Sequence, residues 1–492
     1  MIDTPSVDWF ALSPVLALLG ASFVALLSAV LVPAGVRRAV AASVCALGYA
    51  GAAVAAALVY VYSEDATGAV ADAIRRDRFA ALAQLVVLGS GLLAVGVSFD
   101  RRTRDDHVGE FYALLAAAGA GMAFFVSANN LMTLFLSLEW FSICLYVLTA
   151  IAAERVGSLE AGLKYLIVGS FGSAILLFGS ALVYGATGEL GFADIARVTA
   201  AEGLADDALI VAGLAMLITG LGFKASAAPF HQWTPDAYEG APTPVTAFMA
   251  AATKVAALVV TLRVLVTAFP EQARLWTVAI AAIAVASLVI GNLAAITQRN
   301  IKRMLAYSSV SHAGFMLIAI AADNDLGRRA LIYYLIPYTA MSIGAFAVVA
   351  ARERELGQPV TLDNIAGMGW ERPFLGIAMW IFMLGFAGFP PTGGLLGKFY
   401  VFSAASERGW NWLVLVGVLA TLVSLYYYLA VIRAMFLRPA GELQLAPVGG
   451  SPPPEPFLNA SVAAAVVVTV GSFFALQPLI ELAREAADSL PF

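Results

Sequence analysis

The sequence predicts an all-α, polytopic membrane helix bundle of about fourteen transmembrane helices. Three observations predict it. Of 492 residues, 61% are hydrophobic and only 12% charged, against roughly 45–50% apolar and 25% charged in soluble domains. Apolar runs of about 20 residues recur along the whole chain, each able to cross a hydrocarbon layer about 30 Å thick as a helix. The breaks between them are short and carry charge, glycine or proline, so no separate soluble domain is expected.

Taken in order, the first run, Ala11–Val32, follows Asp3 and Asp8 with no Lys or Arg before it. It lacks the cationic start of a cleavable signal peptide and reads as a retained helix. Ala39–Tyr62 follows Arg37 and Arg38, and Phe79–Phe99 follows Arg75, Arg76 and Arg78. Beyond Arg101, Arg102 and Arg104 come Glu110–Val126 and Leu131–Ala153, then Leu159–Tyr184 after Arg155. Ala208–Ala228 is expected to break at Pro229, because proline lacks the amide proton and clashes with the preceding turn. Thr243–Ala268, Leu275–Ala295, Ile301–Ala321 and Arg328–Ala350 complete the middle of the chain. The next span is interrupted by Pro390-Pro391 and runs Phe374–Phe389, then Gly394–Ser403; Trp412–Leu437 and Phe457–Leu479 are the last two. Only about a dozen residues follow the final helix. Arg and Lys are denser in the loops holding Arg37, Arg38, Arg101, Arg102, Arg104, Arg155, Arg299, Lys302, Arg303, Arg352, Arg354, Arg372, Arg433 and Arg438 than in those holding Arg75, Arg76, Arg78, Arg197, Arg274, Arg328, Arg329, Arg408 and Arg484. The positive-inside rule then puts both termini on the non-cytoplasmic side of the membrane.

The chain also repeats itself. Lys164-Tyr165-Leu166-Ile167 resembles Tyr333-Tyr334-Leu335-Ile336, and Leu221-Gly222-Phe223 before Pro229 resembles Leu384-Gly385-Phe386 before Pro390. Both matches lie five helices apart, and an odd offset inverts topology. The expected organisation is therefore 1–108 for helices 1–3, 109–270 for a first five-helix unit (helices 4–8), 271–438 for its inverted copy (helices 9–13) and 439–492 for helix 14.

Ionisable side chains at membrane depth are costly and usually face the bundle interior. Glu139 is the one acid deep inside a predicted span; it reads either as half of a static ion pair or as a carboxylate that modulates a lysine. Only five of the 28 basic residues are lysines. Since arginine serves the loops, a lysine inside a helix calls for explanation: guanidinium stays protonated, whereas a desolvated ammonium can release its proton. Lys254 falls mid-helix, too deep to snorkel. Lys224 precedes Pro229 by about a turn, and Lys398 follows the Pro390-Pro391 break. Lys164, about one turn inside its helix, serves either the chemistry or the interface; it is expected to pair with Glu139 beside Lys224. Lys302, between Arg299 and Arg303, is expected to anchor the chain at the cytoplasmic surface. His312 lies mid-span among serines, where an imidazole suits relay chemistry; His231, just past Pro229, is a relay candidate on equal terms with a structural residue. His107 sits in an Arg-rich loop. Cys45 and Cys144 stand singly as packing residues, and three scattered histidines supply no metal or haem set. Gly393-Gly394-Leu395-Leu396-Gly397-Lys398-Phe399 has the wrong glycine spacing for a phosphate loop and Phe where Ser or Thr is needed.

The segment from Gly222-Phe223-Lys224 through Pro229-Phe230-His231-Gln232-Trp233-Thr234-Pro235-Asp236-Ala237-Tyr238-Glu239-Gly240-Ala241-Pro242-Thr243-Pro244-Val245 resembles a signature of the antiporter-like membrane subunits of respiratory complex I, NADH:quinone oxidoreductase, in their N type. Leu138-Glu139 with Ser142, Asn300 through His312, and Gly388-Phe389-Pro390-Pro391 through Lys398-Phe399-Tyr400 support it. The resemblance implies a proton-translocating subunit in which Glu139, Lys164, Lys224, Lys254, His312 and Lys398 form a polar axis, with helices 7 and 12 broken. It implies that NADH, FMN, iron–sulfur clusters and quinone are bound by other subunits, and that this chain holds no cofactor and no metal. Expected partners are the other membrane-arm subunits, including neighbouring antiporter-like ones, and the lipid bilayer of the bacterial inner membrane, with no nucleic acid. Two other readings stay open: a subunit of a cation/proton antiporter complex, and a non-conducting scaffold.

Overall fold

A computed structural model describes residues 7–63, 65–99, 107–437 and 454–490. Asp3, which enters the reading of the N-terminus, and Arg101, Arg102, Arg104 and Arg438, which enter the loop-charge reading, lie outside the described residues. The chain begins with α1 (Trp9–Leu31) and α2 (Ala34–Tyr62), then a small antiparallel hairpin of β1 (Thr67–Ala69) and β2 (Ile74–Arg76), then α3 (Arg78–Phe99). It continues with α4 (Val108–Phe125), α5 (Leu131–Ala150), α6 (Val156–Thr187), α7 (Phe192–Glu202), α8 (Ala208–Lys224), α9 (Trp233–Gly240) and α10 (Thr243–Phe248). A π-helical turn, Met249–Thr253, joins α10 to α11 (Lys254–Ala268). The second half holds α12 (Ala273–Ile296), α13 (Ile301–Ala322), α14 (Asp325–Leu356), α15 (Met368–Glu371), α16 (Pro373–Ala387), α17 (Gly393–Glu407), α18 (Asn411–Leu437), α19 (Pro456–Phe474) and α20 (Leu476–Asp488).

Asp and Asn side chains start many of these helices by accepting free first-turn amides. Asp8 caps α1, Asn130 α5, Asp207 α8, Asn300 α13 and Asn324 α14. Among the described residues, twelve helical segments are long and apolar enough to cross a membrane. The protein is thus an all-α polytopic membrane bundle. Its centre is the α10–π–α11 segment, buried throughout its apolar window, with α13 and α14 nearly so. A helix apolar on every face belongs in such a centre. On the periphery, α1, α2, α18 and α19 turn most of their apolar surface outward, as lipid-facing helices do.

The structure moves several expected limits. The span ending at Ala228 stops as a helix at Lys224, and Trp233 starts the next element. The interrupted span ends at Ala387 and resumes at Gly393, so the tract 388–392 replaces the expected continuous run to Phe389. The final span ends at Phe474 and not at Leu479. After it, α20 carries Glu481, Arg484 and Asp488 on one side and Ala483, Ala486 and Ala487 buried on the other. Its Glu485 meets Arg78 at 3.1 Å. Hydropathy extended the last span because Leu476, Leu479 and Ile480 continue the apolar count. The hairpin and α7 were not expected either, being too short and too polar to register.

Candidate functional site

Both interrupted spans end in the same way. In α8, Ser226 takes a left-handed conformation (φ 60°) and the Ala227 amide donates to the Gly222 carbonyl at 2.8 Å. In α16, Gly388 is left-handed (φ 86°) and the Phe389 amide donates to the Leu384 carbonyl at 2.9 Å. These closures turn the chain out of the helix, and Pro229, Pro390 and Pro391 follow in exposed positions. Each break presents the negative end of a helix, where a cation is favoured.

A lysine occupies each of those ends. Lys224 is the last residue of α8; only 2% exposed, it donates from Nζ to Ser142 Oγ (2.7 Å) and Tyr165 Oη (3.3 Å). The Phe141 ring lies 4.5 Å from its Nζ. Ser142 in turn donates to the Leu138 carbonyl. Lys398, on α17, reaches back across the break to the last carbonyls of α16, Phe386 at 2.9 Å and Ala387 at 3.3 Å. Its Nζ lies 4.4 Å from the Phe315 ring. Between the breaks, Lys254 is the first residue after the π turn and donates to the Ser309 carbonyl of α13 at 2.5 Å. Isolated π turns inside α-helices gather at functional sites. Among the described residues no carboxylate forms an ion pair with Lys224, Lys254 or Lys398; their acceptors are hydroxyl and carbonyl oxygens.

His312, on α13, is fully enclosed between two hydroxyls: Nδ1 lies 2.9 Å from Tyr334 Oη and Nε2 3.0 Å from Tyr428 Oη. Tyr428 also meets Ser308 Oγ at 2.5 Å, and Tyr338 meets Ser309 Oγ at 3.0 Å. A neutral imidazole has one N–H, so one tyrosine donates to it and the other accepts.

The matched family, described as NADH:quinone oxidoreductase/Mrp antiporter, TM, covers residues 128–424, more than half of the chain. The chain belongs to that family. It is 43% identical to NADH-quinone oxidoreductase subunit N of Trichlorobacter lovleyi over 373 residues, 75% of this chain and 76% of that protein. A chain of respiratory complex I from Thermus thermophilus, solved with bound aureothin, superposes with a TM-score of 0.79 at 34% identity, covering 96% of this chain and 99% of that one. A chain of an archaeal membrane-bound sulfane sulfur reductase shares the fold with a TM-score of 0.85 at 23% identity, covering 98% of each.

Within this member of the NADH:quinone oxidoreductase/Mrp antiporter family, the expected Glu139–Lys164 pair is not made. Lys164 lies on an outward face of α6, 47% exposed, and pairs with Glu160 (2.8 Å) and Asp236 (3.0 Å). Arg303 bridges Asp236 (2.6 Å) to Glu239 (2.9 Å), so Lys164 ends a surface charge network. Although α6 starts at Val156 and places it about two turns in, its outward face brings it to Glu160 one turn back and to Asp236 of α9. Glu139 is half-buried, and its Oε1 has no hydrogen-bond partner. It is not among the hydrogen-bond partners of Lys224, which are Ser142 and Tyr165. Lys302 is no surface anchor: 1% exposed, it donates to the Ala241 carbonyl (2.8 Å) and Thr243 Oγ1 (3.1 Å), with Glu353 3.7 Å away. The capped start of α13 tucks it under the α9–α10 turn. His231 packs against the Tyr307 ring, with Nδ1 unpartnered, and hydrogen-bonds to none of the lysines. Lys164→Ala is expected to leave thermal stability of the purified protein unchanged, since exposed pairs are screened and mobile; calorimetry on the variant checks this.

The partners of the axis were missed in the sequence: Tyr165, Tyr334, Tyr338 and Tyr428, and the Ser309 carbonyl. A signal was present in Tyr333-Tyr334 and Tyr426-Tyr427-Tyr428, paired phenols inside apolar spans, each of which needs an acceptor when buried. Missed too was Asp77–Arg263, a two-pronged buried pair at 2.7 and 2.9 Å.

Proposed function

We propose that this chain is a proton-translocating membrane-arm subunit of an NADH:quinone oxidoreductase, moving protons outward as buried lysines exchange them, coupled to quinone reduction carried out by other subunits. One observation carries the reading: Lys224, Lys254 and Lys398 are all buried without a carboxylate partner among the described residues, held by neutral oxygens at two helix breaks and a π turn. A permanently charged residue so placed would be costly; an amine that gains and loses a proton has a use for the site. Glu139, near Lys224 but not bonded to it, is the group whose approach or withdrawal tunes that exchange. His312, hydrogen-bonded to Tyr334 and Tyr428, serves as the relay between Lys254 and Lys398 without bonding either, while Lys164, with its outward network, and His231 join the axis only at its edges.

The architecture belongs to the same proposal. Twelve long spans together with the broken pairs α8/α9 and α16/α17 give fourteen crossings, with both termini on the non-cytoplasmic side of the inner membrane. The units 109–270 and 271–438 read as inverted copies. Supporting this, both broken helices close by the same left-handed turn, and the matched residues Tyr165 and Tyr334 each bond the titratable group of their own half. Residues 1–108 and 439–492 flank them. The name of the Trichlorobacter lovleyi relative, NADH-quinone oxidoreductase subunit N, favours assembly with other membrane-arm subunits, antiporter-like ones among them, over a cation/proton antiporter complex.

The test is the intact complex in sealed vesicles, driven by NADH and a quinone in sodium-free buffer. Lys224→Ala and Glu139→Gln are expected to lower the protons moved per electron pair. Full stoichiometry in both removes them from the mechanism, and a strict need for sodium favours the antiporter reading.

A further inference from the structure

Between the acceptors of Lys254 and Lys398 lies a run of hydroxyls that the lysine axis leaves unused. His312 Nε2, Tyr428 Oη and Ser308 Oγ form two consecutive hydrogen bonds of 3.0 and 2.5 Å, all in buried positions. Past Ser308 lies a cavity of about 10 Å³ lined by Ser308, Ser309, Tyr338, Ser342 and Phe386. That is near the least volume that holds one water; most of its wall is apolar, from Ala250, Leu305, Ala345 and Phe346 as well as Phe386, and Ser308, Ser309, Tyr338 and Ser342 are the lining residues whose hydroxyls can partner such a water. Ser309 is also the residue whose carbonyl receives Lys254. At the other end, the Phe386 ring stacks on Tyr428, with centroids 5.6 Å apart, while its carbonyl accepts from Lys398. Tyr428 thus touches both lysine environments without touching either lysine.

Resting on the proton-translocation reading, we propose that Tyr428 is a proton-relay residue, passing protons between His312 and the Ser308 cavity beside Lys254. The transfer balances. As the imidazolium releases the Nε2 proton to Tyr428 Oη, the phenol's own proton passes to Ser308 Oγ, whose proton moves to the cavity water and on toward Lys254. Both hydroxyls end neutral, with their bonds reversed in direction. One proton has moved and no phenolate is left behind, which matters because a buried anion there would be costly. The return of the hydroxyls to their first orientation resets the relay.

Tyr427 supplies the control. Its phenol is equally buried and its ring packs on Tyr428 with centroids 4.4 Å apart, but its own proton goes to Asn292 Oδ1 at 2.8 Å and not along the relay. In the intact complex in sealed vesicles, Tyr428→Phe is expected to cut the rate of proton pumping by about tenfold or more. Tyr427→Phe is expected to leave it unchanged, and subunit content should be normal in both. Should Tyr428→Phe fail to assemble, Ser308→Ala removes the other end of the same bond and is expected to give the same loss. A loss of that size in Tyr428→Phe or Ser308→Ala but not in Tyr427→Phe supports the relay. Equal losses in Tyr427→Phe and Tyr428→Phe overturn it in favour of packing. Normal pumping in Tyr428→Phe alongside loss in Lys254→Met overturns the relay and leaves the function standing. Normal pumping in both overturns the function and the relay with it.

Discussion

Lys254→Met is expected to abolish coupled proton translocation while the chain still folds and assembles. The substitution keeps an unbranched side chain of similar length and removes a buried ammonium that has no carboxylate partner among the described residues. Replacing a buried charge with an apolar group of similar volume is commonly neutral or stabilising. Stability therefore should not fall, and a transport defect belongs to the missing amine. The expected loss is at least about tenfold in pumping rate, equivalent to about 1.4 kcal/mol on the limiting barrier. Lys254→Arg separates charge from exchange, since a guanidinium keeps the positive charge but does not give up its proton. If the amine only supplies a fixed charge, Arg restores pumping; if it must lose its proton, Arg fails as Met does. Vesicle pumping by both variants, at matched subunit content, decides it. Undiminished pumping in Lys254→Met would leave the scaffold reading in possession.

Lys254 was legible from the sequence for the same reason that it is expected to matter. A single lysine in the middle of an apolar run needs no knowledge of its neighbours to be seen as costly. The same holds for Lys224 and Lys398, flagged by prolines that interrupt otherwise continuous spans. What the sequence withheld was distance. Glu139 and Lys164 sit on consecutive spans and look like a pair, but α6 turns Lys164 outward to Glu160 and Asp236. Lys302 looks like a rim residue because Arg299 and Arg303 flank it, yet helical geometry turns successive side chains to different faces, and its own points under the α9–α10 turn. The tyrosines hid because a phenol is counted with the hydrophobic residues in composition while acting as a hydrogen-bonding group when buried. The span limits were read well where the helix is apolar on all sides, as over Thr243–Ala268. They were read poorly where an amphipathic helix abuts a span, as at α20.

The same blindness to distance concealed Asp77 and Arg263, and the second large effect is expected there. Asp77 precedes α3, where Oδ1 accepts the Ala80 amide at 2.7 Å. Both of its oxygens receive the guanidinium of Arg263, far along the chain on α11, with the Phe79 ring 5.1 Å from the cation. The Arg263 side chain is 1% exposed and that of Asp77 0%. The pair ties the N-terminal helices to the helix that begins with Lys254. Asp77→Ala removes the helix cap and leaves a guanidinium without its carboxylate in a place that water does not reach. Breaking such a pair from one side costs about 3–5 kcal/mol, a large fraction of the stability of an ordinary domain. The expected result is a lower melting temperature for the purified complex and loss of this subunit from it in detergent. The double variant Asp77→Leu with Arg263→Met removes both charges and is expected to recover much of that loss, because the fully buried guanidinium is gone and only the partly exposed Arg75, 3.5 Å from Asp77, loses a carboxylate. The coupling between the two sites, read from a double-mutant cycle on thermal stability, should be strongly favourable. Losses that simply add would mean that the two residues contribute separately, and that the tie between α3 and α11 rests on packing alone.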